Sequence, residues 1–232
     1  MTTEYDVCML GMGPVGTVSG LCFAKQGANV VGVDINPERV AAFAAGKAPF
    51  AEHGVDELVQ EVQAAGKFRV TADAKDAISN SHIIMIAVGT PTPEETGIPD
   101  LSQLDAVAKA IGEAIKDVSH TPLVVVRSTV PPGTMRTRIG KIIEEHSGKT
   151  MGEGFDIGSN PEFLREGKAI QDFFSTGRIV MGTDNERAAK AIESLYKDVK
   201  GKRMHASVES AEFAKYVDNT WHAVKIAFAN EI

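Results

Sequence analysis

The six residues Gly11-Met12-Gly13-Pro14-Val15-Gly16 stand between an apolar run, Val7–Leu10, and a helical pattern, Val15–Lys25. A strand, a glycine turn and a helix in that order leave few folds open. Gly11 permits the tight turn, Gly13 lets the main chain approach a pyrophosphate, and Gly16 lets the helix lie close to the sheet. Pro14 suits the first helical turn, where a missing N–H costs little. Val15 shares that turn and joins Gly11, Gly13 and Gly16 as a cofactor-binding candidate. The next apolar run, Val30–Val33, ends at Asp34, placed to accept hydrogen bonds from an adenosine ribose. Its charge repels a 2′-phosphate and so favours NAD over NADP. Arg39, five residues on, offsets part of that repulsion and is a further candidate on the cofactor.

Short β-rich runs alternate with helical patterns along most of the chain. Val7–Leu10, Val30–Val33, Phe68–Thr71, Ile83–Val88, Leu123–Val126 and Phe155–Gly158 read as buried parallel strands. Between them Val15–Lys25, Pro37–Ala45, Val55–Ala65, Ala74–Ser79, Leu101–Ile115 and Thr134–Glu145 read as helices. Such alternation implies right-handed crossovers and an α/β fold, a doubly wound Rossmann-type parallel sheet. Arg178–Gly182 and Lys202–Ala206 add two strands around a helix at Asn185–Val199. One long helix then begins at a Ser207 cap, and no Gly, Pro or C-cap ends it before Ile232. The expected division is a dinucleotide-binding domain, 1–206, and the start of a central helix, 207–232, with the chain a piece of something longer.

The net charge of −7 disfavours a nucleic-acid partner. No apolar stretch is long enough for a membrane span, and residues 1–5 lack a basic region and a signal core, so the expectation is a cytoplasmic protein. Cys8 and Cys22 fall in the first strand and first helix and read as buried, reduced thiols. No metal-ligand spacing appears among the scattered histidines and the two cysteines.

Candidate chemistry lies elsewhere. Asn160-Pro161-Glu162-Phe163-Leu164-Arg165-Glu166-Gly167 sets two carboxylates four residues apart after a strand, where an Asx-Pro turn would project both into a cleft. Glu162 is the candidate base and Glu166 a candidate for binding a ribose. Gly89–Pro93, with Thr90, and Ser128–Gly133, with Thr129, follow strand ends where ligands bind in such sheets. Lys215 and Asn219, one helical turn apart, can hold a developing oxyanion. Val217, Trp221, Val224 and Phe228 recur at helical spacing as an apolar stripe that needs covering.

Together these motifs resemble the UDP-glucose/GDP-mannose dehydrogenase family over the whole length. The most specific pieces are GTPTP (89–93), RSTVPPGT (127–134), SNPEFLREG (159–167), DFFSTGRIVMG (172–182) and the helix AEFAKYVDNTWHAVKIAFANEI (211–232), the last closest to the GDP-mannose branch. The resemblance implies oxidation of the C6 alcohol of a nucleotide sugar to a carboxylate with two NAD+. It implies that Asp34 holds the adenosine ribose, that Thr90 and Thr129 contact the cofactor, and that Thr129 also orders water. Glu166 would lie near the nicotinamide ribose, Glu162 would act as base in the hydrolytic step, and Lys215 and Asn219 would stabilise the C6 oxygen. A homodimer through the central helix is implied as well. Pro14 departs from the Tyr common in the family. The family's nucleophilic cysteine lies beyond the central helix, so this chain is expected to bind NAD without turning over alone. Two other readings fit parts of the pattern: a single-step β-hydroxyacid-type NAD dehydrogenase, and a stand-alone NAD-binding module.

Overall fold

The computed structural model describes residues 5–232. Residues 1–4, which open the stretch read as lacking a signal core, lie outside the described residues. Eight strands form one sheet: β1 (Tyr5–Leu10), β2 (Val30–Val33), β3 (Phe68–Thr71), β4 (Ser81–Ile86), β5 (Leu123–Val126), β6 (Asp156–Ser159), β7 (Arg178–Thr183) and β8 (Lys202–Ala206). Their order is β3-β2-β1-β4-β5-β6-β7-β8, which reverses direction beside β1 as a doubly wound sheet does. The helices are α1 (Pro14–Lys25), α2 (Pro37–Ala44), α3 (Val55–Ala64), α4 (Ala74–Ser79), α5 (Ser102–Ile115), α6 (Gly140–Ser147), α7 (Ala169–Phe174), α8 (Glu186–Ser194) and α9 (Val208–Glu231).

The central strands are apolar on both faces because both faces are covered. Val7 and Met9 of β1 face a core with Leu21 and Phe23 of α1, Val59 of α3 and Ile192 of α8. Cys8 and Leu10 face the other core, with Ile78 of α4, Leu104 and Ile111 of α5 and Ile143 of α6. Each such side chain taken fully from water contributes roughly 1.5–3 kcal/mol. Helix α1 is buried from Gly16 to Ala24, which explains the scarcity of charge along it. Both thiols are buried as expected, and burial pushes the Cys8 thiol up and that of Cys22 to about 12.

Four local expectations are corrected. The fourth strand stops at Ile86 instead of Val88, because Ala87 and Val88 turn to wall a cleft. The helix expected over 134–145 begins with a π-helical turn, Met135–Ile139, before α6. The helix expected to reach Val199 stops at Ser194, and the Arg203 guanidinium donates to the main-chain oxygens of Tyr196 and Gly201 at 2.7 Å each, with Val199 O a third acceptor. The short helix α7 was not expected at all. Strand β7 is antiparallel to β6 through only two residue pairs, Gly158–Thr183 and Ser159–Gly182. Arg178 to Met181 therefore run past the carboxyl end of β6 and form a wall there. Ser207 caps α9 through its hydroxyl to Ser210 N at 3.2 Å, and α9 starts beside that same edge of the sheet.

Candidate functional site

Gly11 has φ +95°, a conformation that L side chains rarely adopt, and it turns the chain directly into α1. A Cβ on Gly16 would sit 1.9 Å from Gly11 O, so helix and loop touch main chain to main chain. A Cβ on Gly13 would meet nothing within 4 Å. That open space lies over the N-terminus of α1, where unpaired N–H groups attract phosphate oxygens. The residues present therefore fit a dinucleotide.

Asp34 is buried at one end of this space. Its Oδ2 accepts from Met12 N at 2.9 Å and from Arg39 Nη1 at 3.2 Å, and its Oδ1 accepts from Asn36 N at 2.9 Å. A carboxylate has roughly four acceptor positions, so capacity remains for a ligand hydroxyl. The cleft of about 910 Å³ runs from Asp34, Ile35 and Arg39 past Gly11, Gly13 and Val15 to Thr90, Thr129 and Glu162. Two side-chain hydrogen bonds stitch its far wall: Thr90 Oγ1 donates to Thr129 O at 2.8 Å, and Ser128 Oγ donates to Val88 O at 2.6 Å.

At that far end Glu162 meets Lys215. Lys215 Nζ lies 2.9 Å from Glu162 Oε1, with the side chains only 10% and 12% exposed, and Leu164 N donates to Glu162 Oε2 at 2.5 Å. An acid–base pair so shielded is held in one geometry, and either member can exchange a proton with an oxygen that reaches it from the cleft. The pairing of a loop carboxylate with a helix ammonium 53 residues away, from position 162 to 215, was not deduced from spacing.

Two sequence expectations do not meet there. Glu166 is exposed and does not border the cleft. Arg165 is tied to Asp172 at 2.7 Å, and Gly167 N and Ala169 N donate to Glu52 at 2.8 and 3.2 Å; these bonds carry the chain away after Leu164. Asn219 is exposed on α9, one turn beyond Lys215, as is His222. Val217, Trp221, Val224 and Phe228 are exposed too, Trp221 at 58%.

Other residues complete the site. Phe163 packs under the Arg178 guanidinium, 4.1 Å from the ring centroid, and Arg178 is ion-paired with Asp218 of α9. Glu212, 2% exposed, accepts from Gly133 N at 2.5 Å and Met135 N at 2.7 Å. Burial raises its pKa, against those two N–H bonds, which lower it. Glu209 takes Arg136 at 2.7 Å, which holds the Glu209 carboxyl below the usual range. One turn after another, α9 thus grips the Thr129 loop, the Glu162 loop and β7. Only the Glu/Lys/Asp residues at every third place, 209, 212, 215 and 218, could have signalled this. Among the described residues no group of three or more His, Cys, Asp or Glu is placed to hold a metal, and no helix is long and apolar enough to cross a membrane.

The family model for the UDP-glucose/GDP-mannose dehydrogenase family, NAD binding domain, matches residues 5–200. GDP-mannose 6-dehydrogenase of Pseudomonas aeruginosa is 38% identical over 226 residues, 97% of this chain and 52% of that protein. A ternary-complex crystal structure of GDP-mannose dehydrogenase from the same organism superposes with a TM-score of 0.95 at 38% identity, over 97% of this chain and 52% of that one. A UDP-glucose dehydrogenase from Pyrobaculum islandicum superposes with a TM-score of 0.92 at 39% identity, over 98% of this chain and 52% of that one. The chain spans about half the length of the curated relatives it matches.

Proposed function

The chain belongs to the UDP-glucose/GDP-mannose dehydrogenase family, and we propose that it is the NAD-binding part of a nucleotide-sugar 6-dehydrogenase acting on GDP-mannose or a UDP-sugar. The observation that carries this is the Lys215–Glu162 pair at 2.9 Å, closing the far end of a cleft whose near end is Asp34. NAD+, when bound, supplies the hydride acceptor. Asp34 holds the adenosine ribose, and Gly11, Gly13, Val15 and Gly16 bring the main chain to the pyrophosphate. Arg39 flanks the adenosine end. Thr90 and Thr129 line the nicotinamide half, and Thr129 orients water.

Lys215 holds charge on the C6 oxygen as hydride leaves the carbon, and Glu162 takes a proton from the hydroxyl or from the attacking water. Asn219 and Glu166 join this set only if α9 or the 162–168 loop shifts on binding, since both are exposed. Four-electron oxidation also needs a thiolate, which must be accessible and in positive surroundings. Cys8 and Cys22 are buried with raised pKa, so neither serves. The 232-residue chain accordingly binds NAD+ without steady turnover. The stripe of Val217, Trp221, Val224 and Phe228 is covered by a second copy in a homodimer, with residues 1–206 as the nucleotide-binding body and 207–232 as the pairing helix.

Assayed as the complete gene product, the protein is expected to form two NADH per GDP-mannose or UDP-glucose consumed. One NADH from a 2-hydroxy or 3-hydroxy acid, with no reaction on the nucleotide sugars, would replace this reading by the single-step dehydrogenase. Steady NADH formation by the 232-residue chain alone would overturn the part about turnover.

A further inference from the structure

Arg127 is the most buried arginine in the chain at 3% exposure, and among the described residues it alone has no carboxylate partner. Arg39, Arg69, Arg136, Arg138, Arg165, Arg178, Arg187 and Arg203 each lie within ion-pair range of an Asp or Glu. The acceptors around Arg127 are all neutral. Its Nε donates to Ser19 Oγ at 2.7 Å, and its Nη1 is shared among Asn160 Oδ1 at 2.6 Å, Tyr196 Oη at 3.0 Å and Asn160 O at 3.1 Å. The Phe23 ring lies beneath the guanidinium at 5.7 Å. Neutral dipoles fix the group in place without cancelling its charge.

Burying a cation without a counterion is costly, and most structures avoid it. Here the cost falls at one particular spot. Arg127 borders the cofactor cleft beside Ser128, Thr129 and Glu162, at the end away from Asp34. The other charges around it are paired off, Glu162 with Lys215, Arg178 with Asp218 and Asp172 with Arg165. The field of Arg127 therefore reaches the nicotinamide half with little to oppose it, through a low-dielectric wall.

The dinucleotide changes charge at that half and nowhere else. The alcohol carbon gives up a hydride with its electron pair, the hydride adds to C4 of the ring, and the hydroxyl proton leaves to a base. The cationic pyridinium becomes a neutral dihydropyridine. We infer that Arg127 is an electrostatic determinant of this step: its fixed buried charge disfavours the cationic ring relative to the neutral one, so the site holds NADH more tightly than NAD+ and makes the bound couple easier to reduce. This rests on the NAD-binding reading above.

The test needs no turnover. NAD+ and NADH are titrated separately into the purified chain and into Arg127→Lys and Arg127→Gln, with circular dichroism confirming the fold. The parent chain should bind NADH more tightly. Arg127→Gln should lower the ratio Kd(NAD+)/Kd(NADH) by about tenfold, the size of one screened charge acting across roughly 10 Å. Tenfold in that ratio is about 30 mV in the two-electron potential of the bound couple. Arg127→Lys should keep the ratio near that of the parent. A merely structural role would move both affinities by one factor and leave the ratio alone, and that result overturns the inference. Should Arg127→Gln fail to fold, Ser19→Ala and Tyr196→Phe loosen the guanidinium while keeping its charge. Their ratio should stay at the parent value, and a tenfold change in it would overturn the inference. A parent that binds NAD+ as tightly as NADH overturns it without any variant. A parent that binds neither removes the NAD-binding reading itself, and the inference with it.

Discussion

Alanine at Gly13 and at Gly16 adds the same methyl group three residues apart, and the two should fail in opposite ways. At Gly13 the main chain has φ −72° and ψ −175°, open to any L residue, and an added Cβ meets nothing within 4 Å. The fold loses only the difference between glycine and alanine at a helix N-cap, about 1 kcal/mol. For a chain of this size that is a fall in Tm of roughly 2–4 °C. The methyl instead fills the space proposed for the pyrophosphate, and NAD+ affinity should drop by about a hundredfold, near 2.7 kcal/mol. At Gly16 the added Cβ lies 1.9 Å from Gly11 O and 3.2 Å from Ala87 Cβ. Main chain cannot rotate away as a side chain can, so overpacking here should cost about 3 kcal/mol or more. The corresponding fall in Tm is roughly 6–12 °C. Differential scanning calorimetry and NAD+ titration on the two variants separate these effects. A Gly13→Ala protein that keeps parental NAD+ affinity would refute the placement of the pyrophosphate, and a Gly16→Ala protein as stable as the parent would refute the close packing of α1.

Glu212 has a folded pKa raised above its ordinary value of 4.5 by burial, so its contribution to stability is fully present below that value and is lost as pH rises through the folded pKa. Glu212→Gln should abolish that loss: relative to the variant, the parent should be more stable in urea at pH 4 than at pH 7, and equal slopes would count against it. Native Cys8 and Cys22, both buried, with the Cys22 thiol raised to about 12, should resist a thiol reagent at pH 8 until the chain unfolds. Rapid labelling of either in the folded protein would contradict the packing of β1 and α1.

The sheet was legible in the sequence because buried parallel strands are unbroken apolar runs, and Val30–Val33 or Leu123–Val126 admit few other readings. Pairing direction was less so. Nothing in Arg178–Thr183 marks it as antiparallel; that depends on how far the 160–177 connection travels, which is set by Glu52 from outside it and by the Arg165–Asp172 tie within it. The π-helical turn likewise depends on Glu212, whose carboxylate takes Gly133 N and Met135 N from 77 or more positions away. Asp34 and the glycine loop could be placed side by side from the sequence because the strand–turn–helix–strand unit that carries them is local. Glu162 and Lys215 could be named as candidates, but their contact is a tertiary fact. Glu166 and Asn219 were grouped with them by spacing and by the family resemblance, and neither says which turn of a loop or helix faces the cleft in this structure. Arg127 gave no signal, since a cation before Ser-Thr looks like any polar loop until its surroundings prove neutral.

The most direct test of the cofactor site is calorimetric titration of the chain with NAD+ and, separately, with NADP+. Asp34 stands buried at the end of the cleft proposed for the adenosine, and its charge is only partly offset by Arg39 at 3.2 Å. One NAD+ should bind per chain, with NADP+ weaker by about tenfold or more, the effect of setting a phosphate against a carboxylate. Equal affinity for the two, or no uptake of NAD+, would contradict it.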